Sequence, residues 1–165
     1  ALMTEKGDEV MVATAQGQSI RFKESDVREM GRTAGGVTGI KLKPARGGQA
    51  SDEVISVDVV RKDKKEGAFL TMSANGFGKK TVLKEYKVQK RGGSGMKTAK
   101  ITAKTGKLIV AKVISGEEQE LIAMSKKGQV IRTALKDIPL LGRQTQGVTV
   151  MRLRAGDGIA SLACI

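Results

Sequence analysis

Histidine and tryptophan are absent from this chain of 165 residues, cysteine occurs once and proline twice. Each gap removes a class of function. Without histidine there is no imidazole general base, no Ser-His-Asp triad and no histidine metal ligand. The single Cys164 rules out an internal disulfide and any multi-cysteine zinc or iron–sulfur site. It fits a reducing compartment and, on an apolar run, reads as inert core. Only four aromatics are present, Phe22, Phe69, Phe77 and Tyr86, too few to stack the bases of a single strand. No apolar run approaches the roughly 20 residues of a membrane span, so no membrane partner is expected. Ala1–Asp8 lacks the pattern of a signal peptide.

What the chain has in quantity is positive charge and glycine. Thirty Lys and Arg stand against 17 Asp and Glu, a net +13 with a pI near 10.0, and there are 21 Gly. That balance suits a basic domain that holds an anionic polymer by charge. The length fits one domain. Ala at position 1 and the strand-like Ile159–Ile165 at the far end lead us to expect a piece of a longer protein.

Internal repeats organise the chain. Gly17–Leu42, Gly76–Ile101 and Gly128–Leu153 align without gaps, at offsets of 59 and 52 residues. The first and third share 11 of 26 positions, including Gly17/Gly128, Arg21/Arg132, Asp26/Asp137, Gly36/Gly147 and Leu42/Leu153. Each repeat reads as strands. Short apolar runs at Glu9–Thr14, Ala68–Ser73 and Glu120–Ser125 lead into a glycine turn. Alternating residues follow, with Ile20 and Phe22 on one face and Arg21 on the other. The alternation in Val37–Leu42 predicts a third strand. Val54–Val60, Leu108–Ile114 and Ile159–Ile165 read as a fourth. No window of ten residues carries a helical stripe. The expectation is an all-β, propeller-type domain of three blades, each of four antiparallel strands, with repeats at about 1–60, 61–114 and 115–165. Lys43–Asp52 reads as a polar excursion and Arg61–Gly67 as a solvated linker.

The charge is concentrated. Gly76–Lys112 holds eleven basic residues and one acid, Glu85, a net +10. Cations also recur at equivalent positions: Arg21, Lys80 and Arg132; Arg32, Arg91 and Arg143; Lys41, Lys100 and Arg152. Cations repeated once per blade form an arc, and an arc of cations suits a polyanion that bends around it. Duplex DNA fits best, because phosphate contacts need only Lys, Arg and backbone N–H groups. Such contacts position a duplex without reading its sequence.

Other patterns favour structural readings. Gly31–Gly36 resembles a phosphate loop but lacks the Gly-Lys-Ser/Thr ending. Asp26, Glu85 and Asp137 each precede an Arg by six residues; rather than metal ligands, we expect carboxylates that pair with Arg32, Arg91 or Arg143 or that cap a short turn. Tyr86 takes the slot of Val27 and Ile138 and reads as packing.

Gln89–Gly95, QKRGGSG, resembles the Gln-Arg-Arg-Gly-Gly-Lys-Gly box of the DNA gyrase A C-terminal domain. Gly17–Leu42 and Gly142–Leu153 resemble that domain's blade repeats, and the corresponding subunit of topoisomerase IV is similar. The resemblance implies a β-pinwheel, a ring of six blades that exchange strands. Its basic rim wraps DNA with a positive hand and feeds ATP-driven negative supercoiling. It implies DNA contacts at Gln89, Lys90, Arg91, Gly92, Gly93 and Gly95, although Ser94 replaces the family's lysine. With Lys79 and Lys97 these join the repeated cations as candidate DNA-binding residues. The box sits in the middle repeat, so the chain reads as the last three blades.

The resemblance also implies a bacterial cytoplasmic, nucleoid-associated enzyme whose partners are double-stranded DNA, the rest of gyrase A, and gyrase B. ATP and Mg act through other domains, and this chain needs no cofactor. The family's cleaving tyrosine lies elsewhere, so the chain alone is not expected to be an enzyme. A propeller serving protein contacts is the competing reading; reversal of Lys80, Arg91 and Lys97 to Glu is the variant that sequence suggests to separate the two. Three blades leave two faces uncovered, which should be apolar and prone to self-association.

Overall fold

The structure, a computed structural model, describes residues 2–45 and 51–165. The middle of the Lys43–Asp52 excursion lies outside the described residues. Eleven strands run in chain order: β1 (Glu9–Thr14), β2 (Gln18–Lys23), β3 (Val54–Val60), β4 (Ala68–Ser73), β5 (Phe77–Val82), β6 (Met96–Lys97), β7 (Leu108–Ile114), β8 (Glu120–Ser125), β9 (Val130–Ala134), β10 (Val148–Thr149) and β11 (Ile159–Cys164). Three single 3₁₀ turns, at Glu24–Asp26, Leu83–Glu85 and Leu135–Asp137, are the helical elements among the described residues.

The strands form three antiparallel sheets, ordered β3-β1-β2-β6, β10-β5-β4-β7 and β11-β8-β9. Blade and repeat therefore do not coincide. β6 belongs to the second repeat but pairs with β2, and β10 of the third repeat pairs with β5. This is the strand exchange that the resemblance implies. It also explains a departure from the sequence reading: Val37–Leu42 forms no strand. A third strand forms here only against the second strand of a preceding sheet, and the first repeat has none before it in this chain. Likewise the third sheet has three strands, not four.

Glycine sets the exchange. Gly95 and Gly147 have positive φ, +68° and +82°. A Cβ at Gly147 would lie 2.6 Å from the Gly78 carbonyl oxygen, and one at Gly95 would collide with that of Ser19. Only a residue without a side chain lets the incoming backbone come so close. The exchanged strands stay two residues long because the chain then turns over a hairpin: Thr98 N–H donates to Gly17 O at 2.8 Å and Val150 N–H to Gly76 O at 2.9 Å.

Apolar side chains meet between sheets. Met11, Ala13 and Val60 of the first sheet pack on Phe69, Leu83, Tyr86 and Val113. Leu70 and Met72, on the other face of β4, pack on Leu121, Ala123 and Leu135. A sheet covered on both faces reads as an unbroken apolar run, which is why β4 is so plain in the sequence. Each fully buried large side chain contributes roughly 1.5–3 kcal/mol. Tyr86 is buried, edge-on to Phe69 at 5.5 Å, and its hydroxyl lies 2.7 Å from Thr98 Oγ1. It is a packing residue. The open edge of β7 is covered by β3: Asp58 accepts from Val113 N–H at 2.8 Å, and Ser56 Oγ donates to Ala111 O. That keeps an otherwise reactive strand edge shut.

Candidate nucleic-acid interface

The repeated cations separate by depth. Arg21 is 6% exposed; it pairs with Glu9 at 2.6 Å and donates to Leu83 O at 2.7 Å. Lys80, its equivalent, donates to Leu135 O at 2.6 Å. Leu83 and Leu135 are themselves equivalent, so both cations reach forward to the 3₁₀ turn of the next repeat. Arg91 and Arg143 reach backward. Arg91 donates to Thr38 O at 2.7 Å and to Asp26 O at 3.1 Å. Arg143 donates to Lys97 O at 3.0 Å, and its guanidinium lies 3.8 Å from Glu85. Of the carboxylate–arginine pairs expected, Glu85 with Arg143 is present and crosses from repeat to repeat, whereas Asp26 meets Arg91 through its backbone carbonyl and not its carboxylate.

Lys79 is buried. Its Nζ donates to Gly142 O at 2.6 Å, Arg143 O at 2.7 Å and Thr145 Oγ1 at 3.1 Å. Burial pushes its pKa down to about 8. Burial also lowers the pKa of Lys80. These five side chains, Arg21, Lys79, Lys80, Arg91 and Arg143, which the sequence offered as candidate DNA contacts, staple neighbouring repeats. Arg132 is exposed but paired with Glu120, at 2.7 Å through Nε.

A second set is free. Lys41, Lys100 and Arg152 are exposed in all three repeats, with no side-chain partner among the described residues. The residue before each, Ile40, Ala99 or Met151, is buried. The backbone is fixed too: Lys41 N–H donates to Gly93 O at 2.9 Å and Lys100 N–H to Thr145 O at 3.1 Å. A long cation on a buried, hydrogen-bonded base is a rigid row with mobile charges.

Around this row lie the hairpin turns and the loops leading to the fourth strands. Asn75 Nδ2 donates to Lys104 O at 2.9 Å and Lys127 Nζ to Ala155 O at 2.9 Å, tying turn to loop. The acids at this end are engaged. Asp52 accepts from Thr14 and Gln16, Asp157 from Lys127 and Gly158 backbone N–H groups, and Glu53 pairs with Lys107. Lys43, Lys104, Lys126 and Arg154 extend the exposed positive surface, with Lys104 5.4 Å above the Phe77 ring. Sequence reasoning missed these four; their signal was the scarcity of acids beside them.

The box-like loop lies against the first sheet. Gln89 N–H donates to Arg21 O at 2.7 Å and Gly92 N–H to Gly39 O at 2.7 Å. Gly93 and Gly95 hold the backbone close to Ile20 and Ser19. Within it Lys90 is exposed and Gln89 half-buried, while Arg91 is a staple. Lys97 and Arg32 are exposed. No helix follows Gly31–Gly36, so it has no phosphate-loop geometry.

An arc of strand-exchanging antiparallel blades with one basic rim defines a propeller-type module. Known proteins agree. A family profile described as "DNA gyrase C-terminal domain, beta-propeller" matches residues 8–61, 68–115 and 119–165. DNA gyrase A of Staphylococcus epidermidis is 37% identical over 161 residues, 98% of this chain and 17% of its own length. DNA gyrase A of Thermotoga maritima is 40% identical over 147 residues, 89% of this chain and 17% of its own length. A solved DNA gyrase A C-terminal domain superposes with a TM-score of 0.84 at 27% identity, over 98% of this chain and 52% of that one. The C-terminal domain of DNA topoisomerase IV shares the fold, with a TM-score of 0.87 at 21% identity, over 99% and 48%. This chain belongs to the DNA gyrase C-terminal domain family. It spans about a sixth of the length of the curated gyrase A relatives it matches.

Proposed function

We propose that this chain holds duplex DNA, without regard to sequence, and bends it around the hairpin end of its blades. The observation that carries this reading is the row Lys41, Lys100 and Arg152: one exposed cation per repeat, its backbone held by the N–H group at Lys41 and Lys100 and at the carbonyl of Arg152 by Gln129, beside a rim whose acids are engaged. Bending 20–30 base pairs costs about 1–6 kcal/mol, and cations spaced along an arc offset it. In the whole enzyme this is the wrapping module of a bacterial, cytoplasmic gyrase. Its partners there are the rest of gyrase A and the gyrase B protein, and strand cleavage, ATP and Mg belong to other domains.

The test is a titration of the chain with mixed-sequence duplexes over a range of salt. Each phosphate neutralised adds about −0.9 to the slope of log K against log salt, so the row alone gives about −3. Equal binding to duplexes of different sequence is expected. A flat salt response, or equal retention of a neutral polymer, overturns the reading. Reversal of Lys80 or Arg91 to Glu is unsuitable as a probe, because both hold repeats together.

A further inference from the structure

Among the described residues Lys79 is the one lysine that the fold buries, 1% exposed on β5. The three N–H groups of its ammonium meet Gly142 O, Arg143 O and Thr145 Oγ1. No carboxylate pairs with it among the described residues. The charged groups that face it are Glu85 of the 3₁₀ turn and Arg143 of the loop, and these two hold each other. Glu85 accepts from Arg143 N–H at 3.2 Å and lies 3.8 Å from its guanidinium. Tyr86 stays neutral, because burial pushes its hydroxyl pKa up. Lys80, the next residue on β5, points to the other face and donates to Leu135 O. Lys79 is therefore a buried charge held by neutral oxygens alone, a costly state to maintain.

The loop that seats on this ammonium leads to the rim. Thr145 N–H and Thr145 Oγ1 both donate to Gly142 O, at 3.2 and 2.8 Å, and close a tight turn over Lys79. From that turn two contacts reach one short segment. The Arg143 guanidinium donates to Lys97 O at 3.0 Å, and Thr145 O accepts from Lys100 N–H at 3.1 Å. Lys97 and Lys100 are both exposed. The first junction repeats this geometry: Arg91 donates to Thr38 O at 2.7 Å, and Lys41 N–H donates to Gly93 O at 2.9 Å. There the residue beneath the loop is Ile20, whose Cδ1 lies 3.7 Å from where a Cβ on Gly93 would be. One rim segment stands on a methyl group and the other on a charge.

Resting on the reading of this rim as a DNA contact, we propose that Lys79 is a positioning residue for duplex binding: its ammonium holds the Gly142–Thr145 turn beneath Lys97 and Lys100 and adds its own charge there, so that affinity falls when its proton is lost. A neutral amine has two N–H groups for three oxygens. Burial places the change near pH 8. A nearby phosphate favours the charged form, so duplex binding takes up protons in that range, the reciprocal of an affinity that falls with pH. A lysine that only held the fold would behave otherwise. Its folded pKa lies below 10.5, so stability rises with pH between about 8 and 10.5. Affinity and stability thus move in opposite directions over the same range.

The test measures duplex affinity at about pH 7 and about pH 9.5, at one salt concentration, for the unmodified chain and for Lys79→Met. Affinity is expected to fall about fivefold more in the unmodified chain, at the low end of couplings between sites. Lys80, whose pKa burial also lowers, and the α-amino group, which titrates in this range, are the same in both proteins. The difference therefore isolates Lys79. Circular dichroism at both pH values checks the fold. Calorimetry of the unmodified chain in two buffers of different ionisation enthalpy should show proton uptake on binding near pH 8, a readout that needs no variant. An equal fall in the two proteins, no fall in the unmodified chain, or binding without proton uptake overturns the proposal while leaving DNA binding intact. Absence of salt-dependent duplex binding at about pH 7 overturns the DNA reading itself, and the proposal with it.

Discussion

The junction between the first and second sheets and that between the second and third share a backbone and differ in chemistry. Gln89 N–H donates to Arg21 O at 2.7 Å in one, and Leu141 N–H to Lys80 O at 2.8 Å, at equivalent positions, in the other. In the first junction Arg21 is buried against Glu9, which also takes Lys65 at 2.7 Å. In the second, Ala68 replaces Glu9 and Lys80 replaces Arg21, and Lys80 forms no ion pair among the described residues. A cleft of about 830 Å³ opens there, lined by Lys80, Val82, Leu135 and Glu120 among others. Lys79 replaces Ile20 and binds three oxygens instead of packing. The lesson is that backbone bonds and glycines define a junction, while the cation that locks it can be an ion pair in one place and a carbonyl cap in another.

Removing the lock should therefore cost unequally. Arg21→Ala leaves Glu9 buried with only Lys65, a loss of about 3 kcal/mol in urea unfolding. Lys80→Ala removes one hydrogen bond from a half-exposed site, a loss of about 1 kcal/mol. Equal losses would mean the first junction gains nothing from its buried pair.

pH should separate the same two junctions. The folded pKa of Lys79 lies below the unfolded 10.5, so between about 8 and 10.5 the unfolded chain binds more protons and stability rises with pH. The rise should be on the order of 1 kcal/mol and absent in Lys79→Met. On the acid side, burial pushes Glu9 upward, but hydrogen bonds from Lys65 and Arg21 outweigh it and hold its carboxyl below the ordinary 4.5. Its contribution is lost as pH falls below 4.5 through that lowered value. Amide exchange should then speed up first in β1 and β2. Simultaneous loosening of β4 and β5 would contradict this.

The smallest effect is a gain. Ala68→Glu restores to Lys80 the carboxylate that Arg21 has, and fills part of the cleft. A stabilisation of about 0.5 kcal/mol is expected from a partly exposed pair, read as a rise of about 1–2 °C in Tm.

Much of this fold is legible in the sequence. β1, β3, β4, β7 and β8 fall on the apolar runs that mark them, because each is covered on at least one face by a neighbouring sheet. Val37–Leu42 is not legible, because a two-residue exchanged strand owes its existence to another repeat's edge and not to its own alternation. The staples were hidden for a related reason. An alignment shows that Arg21, Lys80 and Arg132 are equivalent, but not that the position points into the next repeat. One readable signal existed: Glu9 with Arg21 and Glu120 with Arg132 keep acid and arginine together, and where the acid becomes Ala68 the arginine becomes Lys80. The free row was legible only as a class of residue, since exposure separates Lys100 from Lys79 where composition cannot.

On the proposed function, free cations hold DNA while buried ones hold blades. Duplex affinity of the Lys41→Glu, Lys100→Glu, Arg152→Glu triple variant, measured with thermal unfolding of the same protein, tests it most directly. Binding is expected to fall at least a hundredfold and the salt slope to shrink by about 3, with Tm unchanged within a degree or two. Unchanged affinity in a folded triple variant would contradict it.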